Sequence, residues 1–366
     1  MSKYAFGDIA INSTEKKKPE PVDKATYIGL EHLDSGCLTV RRFGADVAPI
    51  GDKLVMKRGD VLFGKRRAYQ KKVAIAPFDG IFSAHGMVLR PKTEVIDKDF
   101  FPLFIASDYF LDAAIRISVG SLSPTINWSD LKVLEFSLPP LDEQRRLAQV
   151  LWAALDLKEA YQTMLARCDE MASSRFVEMF GDPIENTKKW TCVPLGENAT
   201  LRNGRAYSQD ELHSSGKYPV LRVGNFFSNR GWYYSDMELE ADKYCDNGDL
   251  LYAWSASFGP RIWDGGKVIY HYHIWKIETK GSYNKLFLCK LLDFSTENMM
   301  RETHGIAMMH LTKSGMEQTR FILPPLALQN EFAAFIEQLD KSKVALQKSI
   351  EKLDNLIKTL LQEHLG

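Results

Sequence analysis

One nine-residue stretch occurs twice in this chain, and it limits the possible folds more than any other feature. It runs from Phe136 to Gln144 as Phe-Ser-Leu-Pro-Pro-Leu-Asp-Glu-Gln, and it returns 185 residues later, from Phe321 to Gln329, as Phe-Ile-Leu-Pro-Pro-Leu-Ala-Leu-Gln. Prolines lack an amide donor and disfavour the helical region for the residue before them, so the pair ends a strand and starts a helix. Each copy therefore predicts the beginning of a long helical segment.

Apolar residues behind each copy follow the alternating four- and three-residue spacing of a heptad seam. A single stripe of this kind would fit an amphipathic helix on its own domain. Two stripes of roughly 35 residues, about 50 Å each, are too long for one domain of about 130 residues to cover. We therefore predict an antiparallel coiled coil with surface left for a partner. The first seam is Val150, Ala154, Leu157, Tyr161, Met164, Cys168 and Met171, and the second is Ile336, Leu339, Lys343, Leu346, Ile350, Leu353, Ile357 and Leu360.

Further matches between the two halves indicate a duplication. Gly59-Asp-Val-Leu-Phe63 matches Gly248-Asp-Leu-Leu-Tyr252, His85 matches His273, and Gly120 matches Gly305, in an ordered series that spans both halves. We predict a mixed α/β (α+β) fold of two tandem-repeated lobes, related by a pseudo-two-fold axis and separated by the two antiparallel helices. The predicted bounds are 1–137 for lobe 1, 138–182 for the central helix, 190–322 for lobe 2 and 323–366 for the C-terminal helix.

Composition narrows the class of protein. The 366 residues are enough for two or three domains, and 47 basic residues balance 47 acidic ones, so net charge gives no sign of a nucleic-acid partner. The five cysteines are odd in number and form no Cys-x-x-Cys pair, which argues against a disulfide framework or a zinc site. No signal segment and no run of 18 apolar residues occurs, so we expect a soluble cytoplasmic protein.

A search for catalytic motifs finds only one candidate. Dinucleotide and phosphate loops are absent, as is the Asn/Asp-Pro-Pro-Tyr of amino-methyltransferases. Asp264, Glu278 and Lys280 resemble the metal-binding residues of many nucleases, although lobe 1 has Arg90 where lobe 2 has Glu278. A metal-dependent, site-specific nuclease is therefore the alternative function. His271-x-His273 lacks a third ligand and is interpreted as core or surface histidines, so no metal or other cofactor is expected.

Recognition of DNA is the better-supported interpretation. Between residues 57 and 72, seven basic side chains accompany a single acid, Asp60, and Lys and Arg suit phosphates while Arg also reads guanine. A solvated basic hairpin is the alternative. The matching segment of lobe 2, residues 254–261, is aromatic and polar instead, which indicates one scaffold adapted to two ligands. The candidate DNA-binding residues are Arg41, Arg42, Lys65, Arg66, Arg67, Tyr69, Lys71 and Lys72 in lobe 1, and Arg202, Arg205, Tyr207, Trp254 and Arg261 in lobe 2.

Over nearly its whole length the chain resembles the specificity subunit of type I restriction-modification systems. The resemblance rests on the Pro-Pro motif with its helix, on Met179-Phe-Gly-Asp-Pro183, on the segment from Gly59 to Phe63, and on their second-half counterparts. The second motif has Leu328-Gln329 where the family usually has Glu-Gln. Each lobe would then be a target recognition domain that reads half of a bipartite site in double-stranded DNA, and the helices would act as a ruler.

The resemblance also implies the partners. Two methyltransferase (modification) subunits would bind the helical framework, and the residues expected there are Val150, Leu157, Tyr161, Met164, Leu346, Ile350, Leu353 and Ile357. The chain would be a non-catalytic subunit, with S-adenosylmethionine and the flipped adenine in the modification subunits. Translocation driven by ATP and DNA cleavage would belong to a separate restriction subunit. A related system with a fused methyltransferase and nuclease would use a similar chain, whereas a pure scaffold has no need for two unlike loop sets.

Overall fold

The computed structural model describes residues 1–47, 49–228, 231–255, 257–302 and 312–365, and only the backbone of residues 299–302. The chain divides into two compact units, one of residues 1–162 and 348–366 and the other of residues 163–347. Gly305, which the repeat matches to Gly120, lies outside the described residues. Within the described ranges, none of the helices is both long and apolar enough to span a bilayer.

In the first unit, the described residues form a strand pair, two four-stranded sheets and several short helices. Strands β1 and β10 pair, and the sheets have the orders β2-β9-β6-β7 and β3-β5-β8-β4. The elements are β1 Ser2–Ala5, α1 Phe6–Ile9, β2 Ala10–Ser13, β3 Lys16–Lys17, β4 Tyr27–Ile28, β5 Lys53–Met56, β6 Val61–Phe63, β7 Val73–Ile75, β8 Gly80–Phe82, β9 Met87–Pro91, α2 Phe101–Ala106, α3 Asp108–Arg116, α4 Trp128–Leu131, β10 Glu135–Leu138 and α5 Leu141–Phe180, which continues into the second unit.

The second unit repeats this plan in its described residues. Strands β11 and β20 pair, and the sheets have the orders β12-β19-β16-β17 and β14-β13-β18-β15. The elements are β11 Cys192–Pro194, α6 Leu195–Asn198, β12 Ala199–Asn203, β13 Tyr218–Leu221, α7 Val223–Phe227, β14 Tyr233–Ser235, β15 Tyr244–Cys245, β16 Leu250–Ser255, β17 Ser257–Ile262, β18 Val268–Tyr270, β19 Ile274–Thr279, α8 Lys285–Glu302, α9 Lys313–Gln318, β20 Arg320–Ile322 and α10 Leu326–Leu365, which ends in the first unit.

The sheets confirm the duplication and locate the main difference between the lobes. Order β2-β9-β6-β7 matches β12-β19-β16-β17 strand for strand. In the other sheet, β8 and β18 each have one parallel neighbour, β4 or β13, and one antiparallel neighbour, β5 or β15. The fourth strand lies on opposite edges, since β3 pairs with β5 whereas β14 pairs with β13. The lobes therefore share a core and differ at the sheet edge.

The repeated Gly-Asp pair forms the same turn in both lobes. Gly59 and Gly248 have φ angles of 91° and 84°, which L side chains rarely adopt. The carboxylate of Asp60 accepts the amide of Lys57 at 2.8 Å, and that of Asp249 accepts the amide of Asp246 at 2.9 Å. The pair is therefore kept for the geometry of the turn that precedes β6 and β16.

The Pro-Pro motif ends a strand and starts a helix in both copies, as predicted. Its last residue is buried, with Gln144 1% and Gln329 0% exposed. In lobe 1 the Gln144 Oε1 accepts the amide of Asp97 at 2.8 Å, while its Nε2 donates to the carbonyls of Val95 at 3.1 Å and Pro139 at 2.9 Å. Gln144 therefore ties the first turn of α5 to the loop before α2.

The second copy makes the same three bonds. The Oε1 of Gln329 accepts the amide of Asn284 at 2.9 Å, and its Nε2 donates to the carbonyls of Ser282 at 3.1 Å and Pro324 at 2.8 Å. Because the final glutamine makes these bonds in both copies, the anchor depends on that glutamine and not on the residue before it. The substitution of Leu328 for the family's usual glutamate leaves the anchor intact.

The long helices contact each other in antiparallel directions within each unit. In the first unit, Glu143 pairs with His364 and Lys158 pairs with Asp354. In the second, Asp169 pairs with Lys343 and Arg175 pairs with Glu331. Helix α5 ends at Phe180, and the next residue, Gly181, takes a left-handed φ of 75° that terminates the helix. A coiled-coil geometry and the pseudo-two-fold relation stay predictions.

The predicted seam is correct for α10, whereas on α5 it is correct at Ala154, Tyr161 and Cys168 and wrong by one residue at the other four positions. Every seam position of α10 is buried or half-buried, including Lys343. On α5, by contrast, Val150, Leu157, Met164 and Met171 are 43–50% exposed. Leu151 and Ala172 are buried one residue after two of these positions, and the seam residues Ala154 and Cys168 are buried as predicted. A shift of one residue rotates the face by about 100°, so the four exposed residues lie outside the contact between the helices.

Candidate nucleic-acid interface

A loop of residues 64–72, called the basic loop here, joins β6 to β7 in lobe 1. Arg67 and Lys71 take left-handed φ angles of 56° and 49° on either side of a 3-10 turn. Non-glycine residues hold such angles only where their surroundings fix them. The amide of Arg67 donates to Pro124 O at 2.8 Å, and that of Arg66 donates to His85 O at 3.3 Å. The backbone is therefore fixed, while the Tyr69 ring is 57% exposed.

The loop keeps some of its positive charge uncompensated. The guanidinium of Arg66 contacts only His85 Nε2, at 3.4 Å, and that of Arg67 has no hydrogen-bond or ion-pair partner in the described part of the chain. The nearby acid, Asp60, is buried and bound by Arg90 through two bonds of 2.7 and 2.8 Å. Asp60 therefore does not neutralise the loop.

The other lobe 1 candidates are held by partners within the first unit. Lys71 pairs with Asp108 at 2.7 Å and Asp112 at 2.8 Å, and Lys72 donates to Leu30 O at 2.6 Å. Arg41 pairs with Glu159 at 3.1 Å and Arg42 with Asp34 at 2.6 Å. Exposed ion pairs of this kind contribute about 0–1 kcal/mol, so a DNA phosphate can replace the acid. The structure thus brings together Lys65, Arg66, Arg67 and Tyr69 and leaves the others engaged.

His85 marks the centre of the positive region in lobe 1. Burial lowers its pKa, and so do the charges of Arg66, Lys65 and Lys53. The pKa of Lys65 is lowered by burial and by Lys16. Lys16, Lys53, Lys65 and Arg66 therefore all contribute positive charge to this part of the surface. Such a surface suits a polyanion such as the DNA backbone.

Lobe 2 has the same backbone frame with different side chains. The amide of Trp254 donates to His273 O at 3.0 Å, as the amide of Arg66 does to His85 O, although the strand register aligns Trp254 with Lys65. The Trp254 ring stacks on Trp275 at 5.6 Å, and its Nε1 donates to Tyr272 O at 2.9 Å. The residue bonded to the matched histidine carbonyl is thus an arginine in one lobe and a tryptophan in the other.

Two predicted arginines of lobe 2 are bound by acids. Arg202 pairs with Glu278 at 3.1 Å, and Arg205 bonds Glu211 at 2.7 and 2.9 Å. The bonds from Arg205 and from the Ser208 amide lower the pKa of Glu211 to about 2. The guanidinium of Arg205 also stacks over the ring of Tyr207 at 5.3 Å. Arg205 and Tyr207 therefore lie together, and both arginines are bound by acids.

The structure places Arg261 away from the other candidates. Its guanidinium donates to Phe226 O at 2.9 Å and to Asp264 at 2.8 Å. It lines a cavity of about 800 Å³ in the second unit together with Asp169 of α5 and Asp340 of α10. Burial raises the pKa of Asp340, and the charge of Asp169 adds to that rise. Arg261 thus contributes to packing against the long helices.

Sequence reasoning missed a cleft of about 760 Å³ beside His273. In the described residues no carboxylate lines it, and its walls include Arg222, Tyr233 and His271. The guanidinium of Arg222 lies 5.3 Å from the centre of the Tyr233 ring, and the rings of His271 and His273 are 4.8 Å apart. Burial, then His273, then Arg222 lower the pKa of His271 to about 4, so this ring is neutral at pH 7. A neutral imidazole both donates and accepts hydrogen bonds.

The residues of the nuclease alternative do not form a site. Asp264 is bound by Arg261, Glu278 by Arg202, and Lys280 donates to Gly196 O at 2.8 Å. The described residues contain no group of three or more His, Cys, Asp or Glu side chains that could hold a metal ion. A nuclease metal site needs converging carboxylates, so the arrangement argues against this alternative.

Comparison with known proteins gives a consistent picture. The model of the type I restriction modification DNA specificity domain matches residues 14–160 and 187–355. The type I restriction enzyme EcoDI specificity subunit of Escherichia coli is 27% identical over 226 residues, or 58% of this chain and 49% of that protein. The MjaIX specificity subunit of Methanocaldococcus jannaschii is 24% identical over 305 residues, or 74% of this chain and 68% of that protein. The chain thus spans about half the length of the Escherichia coli relative.

Two solved structures share the fold. The S subunit of the type I restriction-modification system from M. genitalium has a TM-score of 0.61 at 14% identity, covering 100% of this chain and 96% of that one. A chain from a structure of a type I R-M system has a TM-score of 0.58 at 18% identity, covering 99% and 97%. At this level of identity the likeness concerns the fold alone.

Proposed function

The chain belongs to the type I restriction-modification DNA specificity family, and from that premise we propose that it selects the DNA sequence on which such a complex acts. Lobe 1 (1–137) and lobe 2 (190–322) each read one half of a bipartite site in double-stranded DNA. The observation that carries this proposal is the shared frame around His85 and His273, which presents Arg66 in one lobe and Trp254 in the other. One scaffold with different side chains beside the matched histidine suits two different half-sites.

In lobe 1, the basic loop supplies the contacts. Lys65, Arg66 and Arg67 project from a fixed backbone, and Tyr69 is exposed beside them. Phosphate contacts give affinity without sequence information, whereas an arginine at a base edge gives specificity. Arg41, Arg42, Lys71 and Lys72 can add phosphate contacts by exchanging their acidic partners for DNA.

The two long helices, 138–182 and 323–366, act as the spacer and as the docking surface for two methyltransferase subunits. Val150, Leu157 and Met164 support this role because they are 43–50% exposed and apolar on a helix whose other face is buried. Apolar side chains left exposed on a helix are typical of protein interfaces. The expected residues of α10 are more buried, and they hold that helix in place: Leu346, Ile350, Leu353 and Ile357. Tyr161 of α5 is half-buried.

Chemistry is assigned to the partners. We place methyl transfer in the modification subunits, and translocation and cleavage in the restriction subunits of the full complex. This chain contributes sequence selection and assembly. The engaged states of Asp264, Glu278 and Lys280 support this division, since each side chain is already bonded within the second unit.

The test is co-expression with the methyltransferase encoded next to this chain. Size-exclusion chromatography with light scattering should give two methyltransferases per chain, and sequencing that detects methylated adenine in host DNA should give one bipartite motif. A chain that elutes alone and leaves the DNA unmodified would contradict the proposal.

A further inference from the structure

We propose that Arg222 is the side chain with which lobe 2 reads its half-site, and that the base it reads is guanine. The inference rests on the proposed function and identifies the residue on which discrimination by this lobe depends. It is carried by the register of the sheets, by the partners of the arginines in lobe 2, and by the composition of the cleft beside His273.

The sheet register identifies the lobe 1 equivalent of Arg222. Strand β13 runs parallel to β18 with Leu221 opposite Tyr270, and β4 runs parallel to β8 with Ile28 opposite Phe82. In lobe 2 the amide of His271, which follows β18, donates to Leu221 O of β13 at 2.9 Å. In lobe 1 the amide of Ser83, which follows β8, donates to Ile28 O of β4 at 3.0 Å. Leu221 thus corresponds to Ile28, and Arg222 follows it directly.

At the position of Arg222, lobe 1 has Gly29. The two lobes have therefore exchanged the element that carries the arginine. Lobe 1 carries Arg66 on its hairpin loop and glycine at the strand end, whereas lobe 2 carries Trp254 on the hairpin and Arg222 at the strand end. The charge of Arg66 lowers the pKa of His85 in lobe 1, and the charge of Arg222 lowers the pKa of His271, two residues before the matched His273, in lobe 2.

Arg222 is also the arginine of lobe 2 that remains available to a ligand. Among the arginines whose side chains the structure describes in this lobe, Arg222 lacks a hydrogen-bond or ion-pair partner. The others bond protein groups: Arg202 with Glu278, Arg205 with Glu211, Arg261 with Asp264, and Arg320 with Cys192 O.

The surroundings of Arg222 favour reading of a base. The Arg222 guanidinium lies over the Tyr233 ring, 5.3 Å from its centre, and Arg222 is exposed to solvent. The N–H edge of a guanidinium is the fork that pairs with O6 and N7 of guanine, the commonest specific contact in the major groove. No carboxylate lines the cleft in the described residues, so the lining does not repel the negative charge of an approaching phosphodiester.

The experiment compares Arg222→Ala, Arg222→Lys and a matched control, Arg320→Gln, each co-expressed with the methyltransferase. Arg320 is a second arginine of lobe 2 on β20, outside the sheets that carry His273 and Arg222. The readouts are the methylated motif in host DNA and binding to duplexes in which one position of one half-site is changed at a time. Lysine keeps the charge but lacks the planar fork.

The expected result is loss of preference for guanine at one position of one half-site, by roughly 10- to 100-fold, in both Arg222 variants. The other half-site and the control should be unchanged. Equal weakening on all DNA by Arg222→Ala, with full recovery by Arg222→Lys and a shallower salt dependence, would mean a phosphate contact and would overturn the inference. Unchanged motifs in both variants would overturn it too. If the wild-type chain gives no bipartite motif, the proposed function itself fails.

Discussion

Replacing the buried glutamines should loosen the start of each long helix and leave the other unit unaffected. Gln144→Leu keeps nearly the same side-chain volume, so the change removes hydrogen bonds without leaving a large cavity. Gln144→Glu keeps the shape and the acceptor for the amide of Asp97, but it directs a carboxylate oxygen at the carbonyls of Val95 and Pro139. Gln144→Glu therefore loses only the two donated bonds, whereas Gln144→Leu also loses the accepted bond.

The magnitude follows from the three bonds. Gln144→Leu leaves the Asp97 amide and the Val95 and Pro139 carbonyls unpaired, and a buried unpaired group costs about 1–3 kcal/mol. Val95 and Asp97 are only half-buried, so water partly replaces the lost partner, whereas Pro139 is buried. We expect a total of about 2–5 kcal/mol, and Gln329→Leu should give a similar value because its bonds match.

Amide hydrogen exchange measures this effect locally, which avoids assuming two-state unfolding of a chain with two units. Peptides that cover Asp97 and the first turn of α5 should exchange at least roughly 30-fold faster in Gln144→Leu, given tenfold per 1.4 kcal/mol. Gln149→Leu is the matched control, because Gln149 is exposed one turn further along the same helix. Equal exchange in the two variants would refute the anchoring role.

Three further predictions concern recognition, assembly and pH. Arg66→Ala or Arg67→Ala should weaken recognition of one half-site in DNA-binding assays, and equal loss on all DNA would show phosphate contacts only. Leu157→Asp should leave circular dichroism unchanged and lower methyltransferase capture, since Leu157 is 43% exposed. Leu353→Asp should instead lower the melting temperature. A Leu157 variant that assembles fully would contradict the docking role. Because the pKa of His271 falls from 6.5 to about 4, the unfolded chain binds more protons between these values. The stability of lobe 2 should therefore fall as pH drops through that window, and a His271→Gln variant with the same slope in thermal melts would refute this.

The sequence predicted the features that depend on local backbone chemistry. Proline pairs end a strand and start a helix wherever they occur, and the Gly59 and Gly248 turns need positive φ. The seam of α10 was also predicted correctly, since its positions are all buried or half-buried, while the adjacent apolar Val344 and Leu356 are exposed. On α5 four of the seven seam positions were wrong, because apolar pairs such as Val150-Leu151 and Met164-Leu165 offer two neighbouring faces, and only the packed structure shows which one is buried.

The candidate site was predicted less well, because charge neutralisation depends on contacts between distant residues. Nothing local to Arg41 indicates that Glu159 lies within 3.1 Å, and nothing near Lys71 indicates Asp108. The sequence therefore located the basic loop but could not separate its available cations from its paired ones. Arg222 was missed for the same reason, since its significance comes from a cleft whose described lining contains no carboxylate to bind it.

The shared frame explains how two such different reading surfaces can arise from one duplicated lobe. The bonds that hold Arg66 beside His85 and Trp254 beside His273 run between backbone atoms, so they do not depend on the side chain at either position. The groups that do require a particular side chain, the Gly-Asp turn and the buried glutamine, are the same in both lobes. Changing the side chain beside the matched histidine therefore costs the frame little, and specificity can diverge while the fold stays the same.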